Sequence, residues 1–496
     1  MNWKKYLTKT NLIFIAILLV GIFLRFYQLK ERFSYGHDHD LAAWMVKDIL
    51  VNKHLRLIGQ QTSNLGIFIG PLYYYFQVPF FALFKMDPIA EAVASSLVGI
   101  LGIFSSYFIF SKTFSKTTGL ISAFIYSLSF SVVNNDREAV PTVPVIIWSM
   151  WLFYALALIS KGNQKRGFLV LGILVGLIWH LNMALTILAP LAIVAFILSK
   201  KRLEIKALII GILPAVGLSI PLILFELRHN FIQANAFVVS LTSPQGDIYQ
   251  GISKFARVIF LVNKNISNFI WGTPSFLIYS YLPLISLIVL FIFLVYKRSL
   301  NKRLAIILGL WVPIYIVFFS SYSKAVSEYY LSGMFSVYMV VFSLLLTKLY
   351  ESKKLRILAI ASLLIFGVGN LRHFFSTGPS GNGYLEKKKI VSEIKKDSLE
   401  KGYPCLSISY ITSPGYEFGY RYFFYLENLH LNKISNKIPV YTIIFPLGKD
   451  EVQEDRVFGA LGLIYPDYKR YPLETVKDNC SPENINLTGD MFGYTQ

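Results

Sequence analysis

Two aspartates and two histidines alternate in Tyr35-Gly36-His37-Asp38-His39-Asp40, and Leu41, Ala42, Trp44, Met45, Ile49 and Leu50 follow at helical spacing. Two carboxylates and two imidazoles therefore stand where a helix begins. One reading is structural: aspartate caps a helix start and meets the positive end of its dipole. The other is chemical: a general base at a membrane surface, with the second Asp or a His orienting a substrate. Asp-x-Asp also supplies oxygen ligands for a divalent cation, so Asp38 and Asp40 are the candidate metal ligands if there is a metal. His37 and His39 lack a clear third partner for zinc.

A second charged turn reads Asn134-Asn135-Asp136-Arg137-Glu138. It is either a solvated connection or a binding element. In the latter case Arg137 offers its fork to phosphate oxygens, and Asp136 or Glu138 meets substrate hydroxyls. Further candidates are Glu226, Arg228 and His229, and the run from Phe318 to Leu331 with Lys324, Glu328, Tyr329 and Tyr330. His180 and Asn182 read as packing residues near the end of an apolar run, outside the site.

The elements that must position these groups are membrane spans. Of 496 residues, 54% are hydrophobic and 15% charged, so a bilayer is the natural solvent. The net charge of +20 falls in short clusters between apolar runs, not on one basic face, which argues against nucleic acid as a partner. A span needs about 20 apolar residues. By that rule eleven runs qualify, near 12–29, 89–111, 117–134, 140–160, 167–183, 184–199, 207–225, 275–296, 304–322, 329–347 and 355–371. The first, preceded by Lys4, Lys5 and Lys9, reads as a retained anchor with a cytoplasmic N-terminus.

Alternate connections carry Lys112 and Lys116, then Lys161, Lys165 and Arg166, then Lys200, Lys201, Arg202 and Lys206, then Lys297, Arg298, Lys302 and Arg303, then Lys348, Lys353 and Lys354. The positive-inside rule sets these in the cytoplasm. The acids and cations named above then gather on the opposite face, together with everything after residue 371. Gly70 to Phe84 is apolar but short and broken by Pro71 and Pro79, and it reads as an interfacial helix with Tyr73, Tyr74 and Tyr75 at headgroup level. A second interfacial segment is expected around 250–270.

Residues 1–371 thus form a membrane domain and 372–496 an extracytoplasmic one. The latter is mixed polar, with helices over Leu385–Leu399 and Tyr420–Leu429 and strands over Cys405–Ile411, Val440–Phe445 and Ala460–Tyr465, hence a small α/β unit. Cys405 and Cys480 are the only cysteines. They support no zinc framework, and a single bridge between them is open.

These pieces, in this order, resemble the polyprenyl-phosphate-dependent glycosyltransferases of GT-C fold, the group holding protein O-mannosyltransferases and bacterial aminoarabinose transferases. The resemblance rests on the acidic motif before a helix like Ala42–Leu50, on Gly70-Pro71-Leu72-Tyr73-Tyr74-Tyr75, on Leu224-Phe225-Glu226-Leu227-Arg228-His229-Asn230, and on Phe318-Phe319-Ser320 followed by Lys324 and Tyr330-Leu331. It implies a multi-pass membrane enzyme using a polyprenyl-phosphate-linked sugar and an acceptor that is protein, lipid or glycan. Its register puts the catalytic Asp on Asp38. Members often carry an acid next to that Asp, whereas here His39 intervenes and the second acid is Asp40. The implied reaction is one displacement at the anomeric carbon, with Asp38 as base and Arg137 and Lys324 facing the phosphate. Glu138, Arg228, His229 and Tyr330 complete the expected donor site. The alternative class is a polytopic transporter or flippase of lipid-linked or small substrates. Transporters keep ionisable groups or broken helices near the midplane, whereas these span interiors are almost free of charge.

Overall fold

The computed structural model describes residues 8–62, 64–242, 253–272, 281–435, 437–449 and 452–488. Lys4 and Lys5, residues 250–252 of the second expected interfacial segment and the start of the span expected at 275 lie outside the described residues. Each of the eleven apolar runs contains helix where it is described. Among the described residues, seven helices are long and apolar enough to cross a bilayer: Lys9–Phe26, Ile89–Thr113, Gln164–Leu181, Ile205–Arg228, Lys302–Ser321, Glu328–Glu351 and Arg356–Ser376. Val145–Ser160, Met183–Ser199 and Leu282–Tyr296 are shorter apolar helices. Their outward faces stay apolar: Leu12, Leu19 and Phe23 on the first helix and Ile209, Leu213 and Ile220 on another are exposed. This suits lipid. The protein is a multi-pass membrane protein.

The run 117–134 breaks at Ser129 into Lys116–Leu128 and Phe130–Asn135. A break within a bilayer must have its freed polar groups satisfied by protein. Here Ser129 Oγ donates to the Phe269 carbonyl at 2.8 Å and Phe130 N–H donates to Asn370 Oδ1 at 2.8 Å. Beyond the break, the turn that carries Asp136 meets Arg25. The two groups are wholly buried, with Arg25 Nη2 2.6 Å and Nε 3.0 Å from Asp136 Oδ2. Gly99 makes room, since a Cβ there would sit 2.5 Å from the same oxygen.

The interfacial helix expected at 70–84 spans Leu72–Leu83, with Pro79 inside it. Its tyrosines are not all at headgroup level, which corrects the sequence reading. Tyr73 and Tyr74 are buried in protein, Tyr73 donating to the Ala139 carbonyl and Tyr74 OH donating to Gln60 Oε1. Buried hydroxyls need partners, and the loops supply them. The helix Lys254–Trp271 occupies the second expected interfacial segment and buries one face, Val258, Leu261, Val262 and Ile266.

The C-terminal unit holds a four-stranded sheet, β1 (Ser407–Thr412), β2 (Val440–Phe445), β3 (Arg456–Phe458) and β4 (Leu461–Ile464), in the order β1-β2-β4-β3. β1 and β2 are parallel; the other pairs are antiparallel. The helix Tyr384–Glu400 packs Ile390, Val391 and Ile394 into the core with Tyr441 and Leu463. Cys405 and Cys480 are bonded. β3 and the helix Leu473–Asn479 gave no sequence signal, being three and seven residues long. The unit docks on the first loop. Tyr384 N–H donates to the Phe33 carbonyl at 2.9 Å, and Tyr384 OH donates to Asp87 at 2.7 Å.

Removing one member of a buried ion pair strands the other charge, which costs about 3–5 kcal/mol. Asp136→Ala is expected to lose that much stability, and Arg25→Met combined with Asp136→Leu to recover most of it. Thermal unfolding in detergent micelles tests this. A double variant as weak as the sum of the singles would show that the two charges act independently.

Candidate active site

The cavity that contains Asp38 measures about 590 Å³, within the range of small-molecule sites. Its lining combines polar residues, Asp38, Gln60, Asn64, Asn135 and Glu138, with apolar and aromatic ones, Ile187, Phe237, Phe318, Phe319, Tyr322, Tyr329 and Tyr330.

Asp38 stands in the first turn of the helix His37–Leu50, exposed toward the cavity, with Gln60 Nε2 3.5 Å from Oδ1. The following residue explains how it is aimed. His39 Nδ1 accepts from Gly36 N–H at 3.0 Å, so the ring proton is on Nε2, which donates to the Glu138 carbonyl. Burial holds the ring below its ordinary pKa, in its neutral form. His39 therefore caps the helix and joins the first loop to the second, bringing the side chains of Asp38 and Glu138 to one cavity. Burial raises the Glu138 carboxyl above its ordinary range.

The loop carrying Gln60 is held as firmly. Gly59 N–H donates to the Ile69 carbonyl at 2.7 Å, and Ile69 N–H to the Gln60 carbonyl at 3.1 Å. Tyr74 OH accepts from Gln60 N–H at 3.1 Å. At its base Asp48 accepts from Arg56 at 2.9 Å, and Tyr75 OH donates to the Arg56 carbonyl at 3.0 Å. Lys324 reaches the site through this loop, with Nζ donating to Asn64 Oδ1 at 2.7 Å.

Asp38, Glu138 and Tyr330 thus line one cavity and Lys324 stands behind Asn64. The remaining expected residues lie elsewhere. Asp40 is buried, accepting from Tyr422 N–H at 3.0 Å and from Tyr35 OH at 3.3 Å. Residues two apart on a helix face opposite sides, so Asp38 and Asp40 do not converge on one cation. Among the described residues no group of three or more His, Cys, Asp or Glu is arranged to hold a metal ion. Arg137 does not face the cavity. Its guanidinium is buried against the carbonyls of Leu24, Tyr27 and Gln28, at 3.2, 2.9 and 3.3 Å, which close the end of the first span. Arg228 is exposed at a helix end, His229 lies on the Phe225 ring with Nδ1 bonded to the Phe225 carbonyl, and neither lines the cavity.

Gln60, Asn64 and Asn182 were missed, because neutral amides in loops carry no charge or period to mark them. Asn182, set aside in the sequence as a packing residue, lines the cavity while its Oδ1 accepts from Ala184 N–H at 3.0 Å. His180 does pack, bonded to the Leu218 carbonyl at 2.8 Å. Lys387 was also missed. It donates to the Phe418 carbonyl at 2.8 Å behind Asp40, and burial lowers it to about 8.

Residues 69–225 match the model of the dolichyl-phosphate-mannose-protein mannosyltransferase family. That segment contains Asn135, Glu138 and Asn182, and excludes Asp38 and Lys324. The fold is similar to that of ArnT from Cupriavidus metallidurans bound to undecaprenyl phosphate, at a TM-score of 0.60 with 12% identity, over 93% of this chain and 98% of that one. The chain shares the fold of that protein over nearly its whole length. The same figures hold for ArnT in the apo state. The Archaeoglobus fulgidus oligosaccharyltransferase in its apo form gives a TM-score of 0.49 at 12% identity, over 89% of this chain and 70% of that one. No curated protein matches the sequence.

Burial raises Asp40 from 3.8 to about 6. Between those values the folded state holds a proton that the unfolded chain has released, so this contribution to stability falls as pH rises from about 4 to about 6. Asp40→Asn keeps an acceptor for Tyr422 N–H and removes the titration. Its thermal unfolding should lose the wild type's decline across that window; an unchanged decline would place the titration on another group.

Proposed function

We propose that the protein is a membrane glycosyltransferase that moves a sugar from a polyprenyl-phosphate carrier to an acceptor hydroxyl on the outer face. The observation that carries this reading is one cavity whose lining combines the carboxylates Asp38 and Glu138 with aromatic and apolar side chains. Such a lining suits a sugar against its polar residues and the start of an isoprenoid chain against its apolar ones. The family match over 69–225 and the fold shared with ArnT support it. The N-terminus is cytoplasmic on this reading, and the unit from residue 372 onward lies outside the cytoplasm, where the lysine-rich connections do not reach.

In the proposed reaction Asp38 takes the proton from the acceptor hydroxyl. The acceptor oxygen attacks the anomeric carbon, and the bond from that carbon to the phosphate oxygen breaks. Its electron pair leaves with polyprenyl phosphate. The departing group is already a good anion, so no acid is required for it, and the enzyme's work is to supply a base and a counter-charge. Lys324, tethered to Asn64, is the cation proposed for the phosphate. Glu138 and Gln60, which line the same cavity, are the groups proposed to hydrogen-bond sugar hydroxyls. Arg137 and Asp40 are assigned positioning roles instead, because their polar atoms are taken by the protein itself.

Asp38→Asn is expected to cut transfer by roughly a hundredfold or more while leaving donor bound, and Lys324→Ala to weaken donor binding about tenfold. A panel of radiolabelled polyprenyl-phosphate sugars, assayed in membranes holding wild type or variant, with and without chelator, tests both. Wild-type turnover in Asp38→Asn would remove Asp38 from the reaction. Substrate flux across the membrane with no glycosylated product from any donor would favour the transporter class.

A further inference from the structure

A second cavity, of about 560 Å³, lies between the short helix Leu29–Arg32 and the first helix of the sheet unit, Tyr384–Glu400. Lys30, Lys388, Lys389, Lys396 and Arg456 line it against a single lining carboxylate, Glu393. Three of these cations are answered nearby: Lys388 pairs with Asp87, Arg456 with Glu393, and Lys396 stands 3.9 Å from Glu400. Lys30 and Lys389 are exposed, and among the described residues neither makes an ion pair. A concave surface that gathers like charges is unfavourable until an anion enters it.

The depth of the cleft says what kind of anion. Lys30 follows closely on the first span, which ends at Phe26, and Asp87 stands two residues before the helix that starts at Ile89. Both span ends lie on the same side of the membrane, so the cleft stands at headgroup level. Tyr384 is pinned there by the Phe33 carbonyl and by Asp87. Leu385 and Phe458 add apolar wall beside the charges. Topology does not account for these lysines, because the positive-inside rule asks for none on the side proposed as outer.

We propose that this cleft binds the phosphate of an anionic phospholipid in the adjacent leaflet and so seats the sheet unit on the membrane surface. The ligand contacts Lys30 and Lys389 through phosphate oxygens while its glycerol backbone lies against Leu385 and Phe458. Each lysine near an anionic lipid surface contributes roughly fivefold in binding, so the two together are worth roughly twentyfold.

The test uses the full chain in a nonionic detergent, titrated with dihexanoyl phosphatidylglycerol, dihexanoyl phosphatidylcholine, inorganic phosphate and a soluble glycerol-phosphate oligomer. The wild type should bind the phosphatidylglycerol in preference to the other three, and added salt should weaken that binding. Lys30→Glu with Lys389→Glu should bind it at least twentyfold more weakly, and Lys30→Ala with Lys389→Ala, which avoids new negative charge, should show the same direction. Unchanged affinity in both double variants would overturn the proposal, as would equal binding of the two lipids. Tighter binding of the oligomer would make the ligand an anionic glycan, and equally tight binding of inorganic phosphate would make it any small anion. Either overturns the lipid assignment. Binding is read without sugar transfer, so failure here leaves the transfer reading untouched, and failure of transfer leaves this one standing.

Discussion

The Arg25–Asp136 pair is the interaction on which the site depends. Two full charges buried inside a helical membrane protein persist only when they satisfy each other and their remaining polar atoms. Arg25 does so with Asp136 and with the Gly21 carbonyl at 3.0 Å, and Tyr126 OH adds a 3.3 Å contact to Asp136. The pair fixes the turn after the broken helix. Arg137, next in sequence, ties the same turn to the end of the first span. Glu138 follows, and its carbonyl receives His39. A charge pair deep in the fold thereby sets the distance between two loops that share no secondary structure.

Most of the architecture was legible because a bilayer enforces simple rules. Apolar length gave the helices, Pro71 and Pro79 marked the short interfacial helix, and the change in composition after Arg372 marked the sheet unit. The last helix of the membrane part nevertheless runs on to Ser376, since the polar residues that end an apolar run need not end a helix. The site was legible only in part. Asp38, Glu138 and Tyr330 face one cavity, but the charged residues Asp40 and Arg137 turned out to satisfy neighbours in the protein. For Asp40 the sequence held the reason: a residue two positions from Asp38 on a helix points the other way. For Arg137 it did not, because its partners are backbone carbonyls at the end of a span more than a hundred positions away.

The sheet unit and the first-loop helix form a continuous packed structure. Trp44 and Tyr422 meet edge to face with ring centroids 5.6 Å apart, His37 lies 4.7 Å from the Phe418 ring, and Asp40 accepts from the Tyr422 backbone. The helix that presents Asp38 on one side is thus braced on the other by a unit several hundred residues later in the chain. Such bracing holds the Asp38 carboxylate in place, as the proposed reaction requires.

The junction between the loops uses the carbonyl of Glu138 and not its carboxyl, which accepts from Asn134 Nδ2 at 3.5 Å. Any residue has that carbonyl. Position 138 can therefore change its side chain while the loops stay joined through His39, so the lining of the cavity is variable on a fixed scaffold.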